Sequence, residues 1–204
     1  FPAPEALAEA RSYSDEHAGL GLLVWHEGKL VGRHYADGGD ASTRFSGFSM
    51  HKSVLAMAML AAVEDGILGS LDDAVGRYVP AWQGDPRGDI TLRQLLQQTS
   101  GLAHYPFSSG DPRAAALALS SRISATALTF PAADGPGEVF NYNNVNAQLA
   151  GIALEQALAA RDMSYADYLS ERLWKPRRKA ARQTPGRGAT IRPAQNRSSD
   201  VRPQ

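Results

Sequence analysis

Between Val54 and Val63 nearly every position is apolar. The surrounding stretch, FSMHKSVLAMAMLAAVEDG from Phe48 to Gly66, therefore predicts a helix that is hydrophobic all round. In a soluble domain such a helix lies at the centre. The run is far shorter than the roughly 20 residues a bilayer crossing needs, so no transmembrane segment is expected. Gly66 supplies the C-terminal stop.

The rest of the pattern places elements around this helix. Residues 4–16 carry apolar residues on one side and predict a surface helix. LGLLVWH (Leu20–His26) and LVGRHY (Leu30–Tyr35) flank Glu27-Gly28-Lys29 and predict a β-hairpin. LGSLDDAVGRYVPAW predicts a short helix ended by Pro80. Thr91 is placed to cap a helix over Leu92–Gln98, and alanine-rich Ala114–Thr129 predicts another, broken by PAADGPG. Ala147–Ala160 is amphipathic, and Ser164 opens a last helix, YADYLSERLW, that stops at Pro176. One hairpin and a mostly helical remainder make the expected class α/β (α+β).

Composition narrows the chemistry. The 204 residues suffice for one domain with a substantial core. Without cysteine there are no disulfides, no thiolate metal sites and no cysteine nucleophile. The five histidines (His17, His26, His34, His51 and His104) show no ligand spacing, so neither a metal site nor another cofactor is expected. The chain opens without a methionine or a charged, apolar leader; a secretory signal is absent or removed, and the compartment stays open. Formal net charge is zero, yet residues 177–204 hold eight Lys/Arg against one acid. That leaves 13 basic and 20 acidic residues in 1–176. The expected organisation is a domain over 1–176 and a basic, disordered tail over 177–204.

Two short motifs carry candidate chemistry. Ser49 and Lys52 are three residues apart, on one face of a helix. A serine at a buried helix N-terminus with an amine one turn away is a plausible activated nucleophile. A serine cap explains the pattern as well, since Ser-x-x-Lys arises by chance in a chain this long. Tyr142-Asn143-Asn144 is the second motif. Asparagine caps account for its polarity, but not for a tyrosine inside the turn.

Ser49-Met50-His51-Lys52 and Tyr142-Asn143-Asn144, joined by LDDAVGRYVPAW, TLRQLLQQTSGL and PGEVFNYNNVNAQLAG, resemble the serine β-lactamase and penicillin-binding-protein superfamily. The likeness runs from about Leu20 to Pro176. It is greatest to the branch of class C β-lactamases, esterases, D-aminopeptidases and 6-aminohexanoate-dimer hydrolases. The resemblance implies an acyl-enzyme on Ser49, with Lys52 taking the serine proton and Tyr142 protonating the leaving group. Lys52 can do this only when neutral, a form that burial beside a helix N-terminus favours. Asn144 would bind the substrate's amide or carboxylate, and Tyr105 lies in a loop that reaches the substrate in amide-hydrolysing relatives. A packed loop aromatic is the competing reading for Tyr105, and His51 is expected to face away from the pair.

The likeness has gaps. Many relatives carry histidine at the position of Gln98. The superfamily's Lys/His-Thr/Ser-Gly tripeptide does not occur here. On that ground the expectation is a domain incomplete at its C-terminus, lacking its last strands and impaired in turnover. The rival expectation is an inactive fragment that serves as a binding or structural remnant. A small ester, amide or β-lactam is the expected partner, and nucleic acid is not.

Overall fold

The computed structural model describes residues 2–175, in two compact units, 2–47 and 48–175. The basic tail over 177–204 lies outside the described residues.

In the first unit, helix α1 (Pro4–Glu16) buries no residue, as its weak pattern implies. Strands β1 (Gly21–His26) and β2 (Lys29–Tyr35) pair antiparallel. Glu27 and Gly28 both take positive φ, which a two-residue type I′ hairpin turn requires. A bulge between Val24 and Trp25 breaks the register, so Trp25 faces Leu30. Along β1 the side chains alternate, leaving Leu23 and Trp25 exposed and Leu22, Val24 and His26 half-buried. His34 joins the hairpin to α1 through Asp15, 2.6 Å away. That bond holds the Asp15 carboxyl below its ordinary value.

The second unit holds six helices among the described residues: α2 (His51–Glu64), α3 (Leu92–Leu96), α4 (Pro112–Leu119), α5 (Ile123–Ala127), α6 (Asn144–Ala159) and α7 (Tyr165–Leu169). Its core is the contact between α2 and α6, where Ala58, Met59 and Ala62 meet Leu149, Ala153 and Leu154. Trp82, Phe130, Ile90, Leu92 and Leu95 close it from the loops and α3.

Three sequence expectations need correction. Helix α2 buries Leu55, Ala58, Met59 and Ala62, an i, i+3, i+4, i+7 stripe, while Leu60 is 52% exposed. It is apolar all round but buried on one side. Residues 68–82 form two short 3₁₀ turns, Val75–Arg77 and Pro80–Trp82, rather than one helix. The chain there packs too tightly for a helix, with Gly88 Cα 3.1 Å from where a Cβ on Gly76 would stand. The alanine-rich stretch breaks into α4 and α5 at Ser120, whose extended ψ of 159° ends α4. Ser120 Oγ then accepts from Arg122 N, so the serine competes for backbone donors and favours a turn.

Caps follow the sequence more closely. Thr91 and Gln94 form a reciprocal capping box on α3. Ser164 accepts from Asp167 N at the start of α7. The chain beyond α7 continues in a π turn over Ser170–Trp174, and Arg172 reaches Glu64 and Asp65 at the end of α2. Arg87 locks the other side: it grips Asp85 and donates to the carbonyls of Leu128 (3.1 Å) and Phe130 (2.8 Å). The side-chain and backbone hydrogen bonds from Arg87 hold the Asp85 carboxyl down at about 2.

Candidate active site

Ser49 lies in a 3₁₀ turn, Phe48–Met50, that feeds directly into α2. It is exposed, not buried as the sequence suggested. Phe48, just before it, takes φ +40°, a left-handed conformation uncommon for a bulky side chain. Met50 offers no side-chain cap, so no side chain caps the first N–H groups of α2 beside the serine. Those groups make the helix start electropositive.

Lys52 is one turn further on and partly buried. Its Nζ donates to Ser49 Oγ at 3.0 Å and to Asn144 Oδ1 at 2.8 Å. The same Nζ sits 4.9 Å from the centre of the Tyr142 ring. Ser49, Lys52, Tyr142 and Asn144, drawn from the starts of two helices, are thus brought to one place.

The start of α6 is held by a polar network that local sequence patterns do not reveal. Asn143 caps the helix through Val145 N and donates to the Ala103 carbonyl at 2.9 Å. Gln98, 8% exposed and at φ +63°, accepts from Asn143 N (2.8 Å) and Asn146 Nδ2 (3.1 Å) with one oxygen, Oε1. Ser100 donates to Asn146 Oδ1 at 2.5 Å. Gly101 makes the crossing possible. Its φ is +73°, and a Cβ there would meet the Asp134 carbonyl at 2.2 Å.

Tyr142 is thereby fixed between a buried cap and the open site. Replacing Gln98 by leucine should cost about 2–6 kcal/mol, because it strands two buried donors at about 1–3 kcal/mol each. Urea unfolding checks this, and an unchanged midpoint contradicts the network's role.

Tyr142 is half exposed, and its phenol is pulled below the usual tyrosine value of 10. Hydrogen bonding from Ser49 contributes most, followed by hydrogen bonding from Lys52; its ammonium charge adds to these, and burial opposes them. Both favour the phenolate, so the proton leaves at lower pH. Burial and the charge of Glu155 instead push Tyr165 up to about 12. In a 295-nm pH titration the earliest phenolate step is expected to disappear in Tyr142→Phe and to move upward in Lys52→Met. An unchanged first step in both variants contradicts this coupling.

Tyr105 is placed differently. It packs on Phe130 with ring centres 5.5 Å apart, and the Arg113 guanidinium lies 4.1 Å from its centre. It also lines a cavity of about 280 Å³ with Tyr142 and Asn144. His51 turns its Nε2 to the hydroxyl of Tyr165, 3.1 Å away, yet forms part of the wall of a cavity of about 530 Å³ beside Ser49 and Lys52. Among the described residues no group of three His, Cys, Asp or Glu could hold a metal ion. None of the described helices is long and apolar enough to cross a membrane.

A hairpin, a helical unit and a Ser-x-x-Lys helix start facing a Tyr-x-Asn turn correspond to the serine β-lactamase and penicillin-binding-protein class. The chain belongs to the Beta-lactamase family, whose model matches residues 5–204. This is a family of serine hydrolases. The chain is 27% identical over 169 residues to Protein flp of Staphylococcus aureus (strain MW2), covering 78% of this chain and 33% of that protein. It is 31% identical over 134 residues to Penicillin-binding protein 4* of Bacillus subtilis (strain 168), covering 63% of this chain and 28% of that one. The fold matches the solved structure of a Bacillus anthracis protein assigned as a 6-aminohexanoate-dimer hydrolase, with TM-score 0.66 and 21% identity. That match covers 80% of this chain and 46% of the other. The chain therefore spans about a third of the length of the curated relatives it matches.

Proposed function

We propose that the chain carries the nucleophile and proton-transfer groups of a serine hydrolase acting on an amide, ester or β-lactam carbonyl. The observation that carries this reading is the single Lys52 Nζ bridging Ser49 Oγ and Asn144 Oδ1. A serine hydroxyl is a weak nucleophile until a neighbour takes its proton. Lys52 Nζ, already in contact with Oγ, is placed to accept that proton once it has passed its own on, while Asn144 fixes the direction of the amine. Tyr142 is within hydrogen-bonding reach of both Ser49 and Lys52, and its lowered pKa makes it a ready partner in proton exchange. The carbonyl carbon bonds to Ser49 Oγ, the leaving group departs with the proton, and water later releases the acid.

Likeness to a penicillin-binding protein at 31% identity supports an acyl-transfer site of this kind. The test is to treat the chain with a serine-reactive p-nitrophenyl phosphonate and map the adduct by peptide mass. One adduct on the peptide containing Ser49 is expected. An adduct confined to any other residue overturns the reading.

A further inference from the structure

Ser49 stands at a fork. The cavity of about 530 Å³ contains Ser49 and Lys52 but not Tyr142; the cavity of about 280 Å³ contains Tyr142 but neither of the other two. Leu117, Ala118 and Asn144 form part of the wall of both. The two are neighbouring lobes around one carbonyl position.

The chemistry assigns their contents. A leaving group must receive a proton as it departs, so it belongs in the lobe that holds Tyr142 and Tyr105. The acyl part then has the larger lobe. Its wall is mostly apolar, built by Leu55, Leu117, Ile123 and Ala147 from α2, α4, α5 and α6. No aspartate, glutamate or arginine lines it. Two bonds from Lys52 are already committed to Ser49 and Asn144. The other polar side chains of the wall are engaged elsewhere, His51 with Tyr165 and Gln148 with Ser124, so an alkyl chain can lie against the apolar part of the wall without displacing those contacts. The volume lies within the range of small-molecule pockets, which are largely apolar with a few placed polar groups.

We infer that the larger lobe is an acyl pocket, and that the site takes esters or amides with an uncharged, apolar acyl chain of several carbons. This rests on Ser49 being the nucleophile. In the step, Ser49 Oγ bonds to the acyl carbon and the bond from that carbon to the leaving oxygen or nitrogen breaks. The serine proton passes through Lys52 and Tyr142 to the leaving atom. Water then cleaves the acyl–serine ester, returning the proton to Ser49 and releasing the apolar acid.

A series of p-nitrophenyl alkylphosphonates from methyl to hexyl tests this on the full chain, since the alkyl group takes the acyl position. The rate of Ser49 adduct formation, read by intact mass, is expected to rise about fourfold per methylene until the lobe is full. Ile123→Trp on α5, and separately Gln148→Trp on α6, should each lower the hexyl-to-methyl ratio roughly tenfold. Equal rates for methyl and hexyl probes at Ser49 overturn the acyl pocket but leave the nucleophile standing. No Ser49 adduct with any probe overturns both readings. A hexyl preference that survives both variants, each shown folded by circular dichroism, overturns the placement in this lobe.

Discussion

Ser49→Ala is expected to reduce phosphonate labelling to the background of the reagent, a loss of at least about 10³-fold. Removing the nucleophile of a serine hydrolase leaves only what binding and oxyanion donors supply, so the drop is the largest any single change can produce. The change is also structurally mild. Ser49 is exposed, and its Oγ accepts one bond from Lys52, which keeps its second partner in Asn144. Ser53 gives the control: it is exposed and directly follows Lys52 in the same helix. Ser53→Ala should label at the parent rate. The measurement is a time course of intact mass for all three proteins. An adduct that persists in Ser49→Ala defeats the assignment outright.

Lys52→Met is expected to slow labelling of Ser49 by about 10²–10⁴-fold, the range for losing a positioned proton acceptor. The aliphatic stem is kept, so packing against α6 changes little. Asn144 is exposed and can bond water once the amine is gone, so the melting temperature should move by only a few degrees. Tyr142→Phe should also slow labelling, but the double variant should be no slower than the slower single one. Groups that pass one proton along act as a unit, and their losses do not multiply. Multiplicative losses would mean that lysine and tyrosine serve independent steps. A Lys52→Met protein that labels at the parent rate removes the lysine from the proton path.

What the sequence disclosed was mostly local. The hairpin was legible because Glu27-Gly28 between two β-rich runs admits few other turns. The capping box at Thr91 and the cap at Ser164 were legible because each is written within four residues. The Ser49–Lys52 spacing likewise needs only one turn of helix. The meeting of Lys52 with Asn144 spans 92 positions, and no periodicity encodes it; only the resemblance suggested it. Gln98 was noted as a departure from relatives, but its work depends on a positive φ and on two donors more than forty residues away. The split of Ala114–Thr129 was missed because alanine content argues for helix at every position. Ser120, whose side chain takes the Arg122 N–H, decided otherwise. The helix expected over 68–82 failed for the opposite reason: a close backbone approach at Gly76 and Gly88 overrode propensity.

Phe48 shows how durability and aim separate at this site. Holding a non-glycine residue in the left-handed region costs about 1–2 kcal/mol. A glycine at the same place would remove that strain, yet it would forfeit about 0.5–1 kcal/mol by widening the unfolded ensemble. The two partly offset, leaving a net of roughly 0–1.5 kcal/mol, so the thermometer reports only weakly on which residue stands there. What differs is the spread of directions open to the backbone one bond before Ser49. With phenylalanine that spread is narrow; with glycine the serine would inherit a looser mount. The identity of residue 48 is thus a choice about marksmanship, made where heat resistance casts little vote.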